Sequence, residues 1–165
     1  MKKIVLAGGC FWGVEAYFKQ LKGVENTSCG YANGDTKNPT YSEVCNGMAN
    51  HAEAVEVTYN PEQISLEKLF EHFFRFVDPT SINKQGNDIG IQYRSGIYYY
   101  DELSKETAIK YLEQQQKNYS EPIAITVEPV KNYYLAEAYH QDYLGKNPTG
   151  YCHVDLGLVK EDEKK

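Results

Sequence analysis

Apolar positions along this chain follow two rhythms. Val14, Tyr17, Phe18 and Leu21 recur at the i, i+3, i+4, i+7 spacing of one helical face, and the run ends at Gly23. Leu66, Leu69, Phe70, Phe73 and Phe74 repeat that rhythm behind Ser65, a capping residue type, and predict a helix to about Val77 that Asp78-Pro79 stops. Residues 52–59 instead alternate with period two, placing Glu53, Val55, Val57 and Tyr59 on one strand face and Glu56 and Thr58 on the other. One carboxylate therefore stands at the end of an apolar row. Residues 3–7, 95–100 and 123–130 read as further strands and 102–118 as a polar amphipathic helix.

Between these elements the pattern is weaker. Residues 24–50 are rich in Gly, Asn, Ser and Thr and read as strand fragments and loop, with Asn33-Gly34 as a turn. Residues 80–92 form a polar, Gly-containing loop, a usual place for functional groups. Tyr133 to Tyr143 reads as a short helix before Gly145, Asn147-Pro148 and Gly150 break the chain, and Lys160 to Lys165 reads as a frayed, charged tail. With no repeats and no linker, the expectation is one catalytic α+β domain over 1–165 whose C-terminal segment is flexible from about 145.

Composition narrows the class. The 165 residues are 41% hydrophobic and 24% charged, ordinary for a globular protein. A net charge of -6 without any Lys/Arg cluster argues against nucleic acid as partner. No apolar run nears the roughly 20 residues that span a bilayer, and the N-terminal apolar stretch is too short for a signal peptide, so the expected address is the cytoplasm. Cysteines at 10, 29, 45 and 152 include no Cys-x-x-Cys pair, which favours free, reactive thiols over a disulfide framework or a zinc ribbon. No metal is expected, because the four histidines form no ligand pattern.

Cys10 draws the chemistry together. A strand, the Gly8-Gly9 turn and a helix place it at a helix N-terminus, where unpaired N–H groups favour an anion such as a nucleophilic thiolate. Cysteine is also a common core residue, so placement alone leaves packing as the bland alternative. Phe11 and Trp12 point about 100° apart in the first turn, so both cannot enter the core face of Val14 and Leu21, and at least one should flank the thiol.

Gly9-Cys10-Phe11-Trp12-Gly13 followed by Glu15 resembles the nucleophile motif of the type A methionine sulfoxide reductases. Four further blocks, in order, extend the resemblance from about Ile4 to Asp155: Tyr41-x-x-Val44 with Gly47-Met48 through Glu53; Asp88-x-Gly90-x-Gln92-Tyr93-Arg94-Ser95; His140-Gln141 with Tyr143-Leu144; and Asn147-Pro148 with Gly150-Tyr151-Cys152. The resemblance implies a two-layer α+β fold with a ferredoxin-like mixed sheet and thiol-dependent reduction of the S epimer of methionine sulfoxide, free or in proteins. It implies that Cys10 attacks sulfur, Glu53 supplies the proton, Tyr41 and Tyr93 bond the sulfoxide oxygen, Asp88 acts through water, and Phe11 and Trp12 hold the methyl group. A Cys10 sulfenic acid would then be resolved by Cys152, and thioredoxin would reduce the disulfide without any cofactor. The proton demand stands on independent chemistry: oxygen leaves sulfur poorly unless protonated, and partial desolvation on an apolar strand face would raise a carboxyl's pKa, although the alternation alone favours a solvated strand-end Glu. Ala32-Asn33-Gly34 departs from the glycine pair common in relatives, and Cys29 is unusual there.

Two other classes fit parts of the pattern. A cysteine hydrolase would pair Cys10 with His51 or His140 as base, and a peptide-binding module would use the aromatics to recognise oxidised methionine without turnover.

Overall fold

A computed structural model describes all 165 residues. Strand β1 (Lys2–Gly8) runs into helix α1 (Phe11–Lys19), then β2 (Val24–Ala32), a short α2 (Tyr41–Cys45) and β3 (Ala52–Tyr59). Helix α3 (Leu66–Phe76) follows, then a small hairpin of β4 (Lys84–Gln85) and β5 (Asp88–Ile89), strand β6 (Ser95–Tyr99), helix α4 (Glu102–Gln116), β7 (Thr126–Pro129), β8 (Tyr133–Leu135) and α5 (Tyr143–Lys146). Six strands form one mixed sheet in the order β7-β6-β1-β3-β2-β8. Only β6 and β7 pair in parallel.

Helices cover one face of this sheet. Ile4 and Leu6 of β1 and Val55, Val57 and Tyr59 of β3 meet Val14, Tyr17 and Phe18 of α1 and Leu69, Phe70 and Phe73 of α3 in a single core of 27 buried residues. The expected helical stripes are thus the buried ones, and removing a ring such as Phe73 is worth about 3–5 kcal/mol. The other face is lined by small side chains, Ala7, Ala32, Ala52 and Ala54, packed with Val5 and Tyr98 under Val130 and Tyr133.

Four segments depart from the sequence reading. Residues 24–32 form one continuous strand with a bulge between Val24 and Asn26, because pairing to β3 on one edge and β8 on the other outweighs its weak strand composition. The segment expected to be helical from Tyr133 starts as β8, held in register by a clasp of two side chains. Asn33, in the left-handed region at φ 55°, accepts from Lys131 N–H, and Asn132 donates to the Gly34 carbonyl at 2.8 Å. The terminal residues, expected to be frayed, are docked: Lys22 N–H donates to the Glu163 carbonyl and Lys165 N–H to the Gln20 carbonyl, each at 2.9 Å. Helix α2 was also missed within the loop reading, although Thr40 and Glu43 form a complete capping box.

Candidate active site

Gly9, at φ +92°, turns the chain between β1 and α1; a Cβ there would lie 2.8 Å from both Gln85 Cβ and His153 Nε2. The turn leaves Cys10 as the residue preceding α1, as its Gly-Gly-Cys context predicts. Its protonation differs from the expectation. Cys10 is only 7% exposed, and desolvation, reinforced by the charges of Glu53 and Asp88, pushes its thiol far above the ordinary range. The Trp12 N–H is close enough to favour a thiolate, yet the side chain makes no capping hydrogen bond in this state. Burial outweighs the helix terminus, and the resting site holds a neutral thiol.

Glu53 lies where the strand alternation places it, on the helix-covered face of β3 and 1% exposed. Its Oε1 accepts from the Phe11 N–H at 3.3 Å, one peptide unit from Cys10, and its Oε2 is buried without a partner. Desolvation raises its pKa to about 8 against the pull of that N–H, so the carboxyl is mainly protonated at neutral pH.

The remaining expected residues surround this pair. Tyr41 opens α2, stacks on Phe11 with centroids 6.4 Å apart, and meets the His140 ring at 4.3 Å with the planes tilted by 51°. Burial holds the phenols of Tyr41 and Tyr93 protonated, and Glu53, once ionised at high pH, raises them further. Both hydroxyls are therefore hydrogen-bond donors beside Glu53. Asp88 accepts from the Tyr151 hydroxyl at 2.9 Å. Cys152 packs over α1: a Cβ on Gly13 would sit 3.0 Å from its Sγ, so the glycine is what allows the approach. Its sulfur donates to the Val154 carbonyl and is partly exposed.

Phe11 and Trp12 divide as their angular separation requires. Phe11 is fully buried against Tyr31, while Trp12 lies at the rim, stacked on Tyr143 at 3.8 Å and donating from Nε1 to His140 Nδ1 at 3.0 Å. That bond commits His140 to the Trp12 indole. His51 lies fully buried, with both ring nitrogens lacking side-chain partners, below Gly34. Neither histidine is hydrogen-bonded to Cys10, so the hydrolase pairing does not form.

Three further residues brace the site: Glu15 and Gln141 lie in the motifs named above, though without an assigned role, and Glu137 carried no sequence signal of its own. Glu137 accepts from the Tyr31 hydroxyl at 2.7 Å and from the Tyr41 N–H at 3.0 Å, tying β2 to the start of α2. Glu15, inside the first motif, accepts from Thr27, from the Cys29 thiol and from the Asp142 N–H. Gln141 imitates a strand by bonding both the N–H and the carbonyl of Cys29 at 2.8 Å. A polar side chain expected inside a helix or beside an aromatic cluster could have flagged Glu15; Glu137 gains its partners only from folding.

A family model described as peptide methionine sulfoxide reductase (PMSR) matches residues 2–165. A relative from Clostridium botulinum (strain Okra / Type B1), named peptide methionine sulfoxide reductase MsrA, is 56% identical over 156 residues, which cover 94% of this chain and 99% of its own. The reduced form of Mxr1 from Saccharomyces cerevisiae is similar with TM-score 0.88 at 43% identity, covering 94% of this chain and 91% of that one. Mxr1 in complex with Trx2 is similar with TM-score 0.61 at 34% identity, covering 86% and 84%. The chain belongs to the peptide methionine sulfoxide reductase family and is a thiol-dependent methionine sulfoxide reductase.

Proposed function

We propose that the substrate is the S epimer of methionine sulfoxide, free or in oxidised proteins, and that Cys10 and Glu53 act as a pair that is neutral before the reaction. Cys10 sulfur attacks the sulfoxide sulfur, Glu53 gives its proton to the sulfoxide oxygen, and the thiol proton restores the carboxyl. The sulfur–sulfur bond made in the attack and the S–O bond to methionine both break as the hydroxyl passes to the Cys10 sulfur, leaving methionine and a Cys10 sulfenic acid. No net charge is created in a dry site, which fits a thiol and a carboxyl that burial keeps protonated. Tyr41 and Tyr93 hydrogen-bond the oxygen as charge develops there, Asp88 orders water near Tyr151, and Phe11 with Trp12 forms the wall for the methyl group.

Cys152 then condenses with the sulfenic acid to form a disulfide, the segment from about 145 supplying the needed movement. Thioredoxin would reduce it, a reading supported by the complex of the similar Mxr1 with Trx2. Such a donor fits a reducing compartment, here the cytoplasm, and no organic cofactor or metal is required. The order β6-β1-β3-β2, with α1 linking β1 to β2 and α3 preceding β6, supports reading the core as a two-layer, ferredoxin-like unit within a single domain.

The observation that carries this reading is the buried carboxyl of Glu53, hydrogen-bonded to the Phe11 N–H one peptide unit from Cys10, where desolvation favours its protonated form. Separate R and S epimers incubated with dithiothreitol test it: methionine should appear from S alone, and Cys10→Ser should abolish it. Full activity in that variant would remove the mechanism.

A further inference from the structure

Behind the site, the end of the chain closes on α3 through one carboxylate. Arg75 Nη1 and Nη2 donate to Glu163 Oε1 and Oε2 at 2.7 and 2.8 Å, a two-pronged contact that also positions Nη1 3.2 Å from the Leu158 carbonyl. Lys68 Nζ lies 3.5 Å and His72 Nε2 3.6 Å from Glu163 Oε2, and Lys160 N–H donates to Oε1 at 2.9 Å. His72 is in turn bonded through Nδ1 to the Tyr17 hydroxyl of α1 at 2.7 Å. Glu163 and Arg75 are largely sheltered, with 12% and 17% of their side chains exposed, so the pair is screened less than a surface ion pair.

The position of this clamp in the chain matters. Cys152 lies on a segment with no strand and no α-helix between α5 and the terminus. Its near end is held by Tyr143 stacked on Trp12 and by buried Leu144; its far end is held by buried Val154 and Val159 and then by Glu163. Cys152 is therefore on a loop tied at both ends. A reactive group on such a loop explores a smaller volume than one on a free tail, and its effective concentration at a fixed target is higher.

We propose that Glu163, bound by Arg75, is a positioning residue for the resolving step: it anchors the far end of the Cys152 segment and keeps that thiol within reach of Cys10. The inference rests on the reading of Cys152 as the resolving thiol. In that step the Cys152 sulfur attacks the Cys10 sulfenic sulfur, an S–S bond forms, the S–O bond breaks, and hydroxide leaves with the Cys152 proton as water. Electrons balance within the two sulfurs, and no further oxidant is required.

The test is a single turnover without added reductant, comparing the full-length protein with Glu163→Ala, Glu163→Asp, Cys152→Ser and a chain ending at Val159. Methionine is measured by chromatography, the Cys10 sulfenic acid by dimedone adduct, and thiol loss by titration. Glu163→Ala and the shortened chain should form methionine at the wild-type rate, which shows that the site is folded, but form the disulfide about three- to tenfold more slowly with more adduct. Glu163→Asp, which keeps the charge, should recover part of the rate. Wild-type disulfide rates in both Glu163→Ala and the shortened chain overturn the inference. Cys152→Ser should accumulate the adduct; if it loses two thiols at the wild-type rate, the resolving role of Cys152 itself falls.

Discussion

Glu53 Oε1 accepts from the backbone N–H of Phe11 at 3.3 Å, which seats a buried carboxyl on the first turn of the helix that begins after Cys10. Two forces act on it in opposite directions. The N–H favours the charged form, whereas desolvation disfavours it, and the larger desolvation raises the pKa to about 8.

A pH dependence follows from this balance. Methionine formation in single turnover should fall as pH rises through about 8, where Glu53 loses its proton. Glu53→Gln should lower that rate about 10²- to 10⁴-fold and flatten the profile. An unchanged profile in the variant would assign the ionisation to another group.

Stability should move the other way in the same variant. The unfolded chain releases this proton near pH 4.5, while the folded chain keeps it to about 8. Folding thus retains a proton across that window, and stability falls as pH rises through it. Glu53→Gln should remove this loss and gain on the order of 1–3 kcal/mol at pH 9, read by denaturant unfolding.

Burial orders the thiols. Cys45 is exposed, Cys152 partly so, and Cys10 and Cys29 are buried. Iodoacetamide should label Cys45 first, then Cys152, with Cys10 and Cys29 slow because burial raises both pKa values. Peptide mapping over a time course checks the order, and rapid labelling of Cys10 would mean a thiolate in the resting state.

Gly13 admits the terminal segment. A methyl group there meets Cys152 Sγ and Val154 Cγ2, each 3.0 Å away. Gly13→Ala should cost about 1–2 kcal/mol in unfolding experiments and slow disulfide formation while leaving first-turnover methionine formation nearly unchanged.

Trp12→Phe keeps an aromatic ring over Tyr143 but removes the donor to His140 Nδ1. Leaving that acceptor unpaired should cost about 1 kcal/mol and, by loosening the wall proposed for the substrate methyl, raise KM more than it lowers kcat. Steady-state kinetics on free methionine sulfoxide separate the two.

The periodic stretches were legible before folding because their signal is local. The faces of α1 and α3 and the alternation of β3, which carries Glu53 inward, follow from residues a few positions apart. The motif around Cys10 was legible for the same reason. Segments whose partners are remote in sequence were not: β2 became one strand through its two neighbours, and β8 replaced an expected helix because Asn33 and Asn132 clasp across about 100 residues. Glu137 gained its role at Tyr31 and Tyr41 in the same way.

The sequence by itself determined the class of fold, the family, and a thiol and a carboxyl suited to sulfoxide chemistry. Only the tertiary structure decided their protonation. Helix placement favours a thiolate at Cys10, but the walls that close over the site remove water from it, and desolvation outweighs one helix terminus. Burial depth is a property of the assembled chain, so the neutral thiol, the protonated Glu53 and the anchored tail emerge only when distant segments meet.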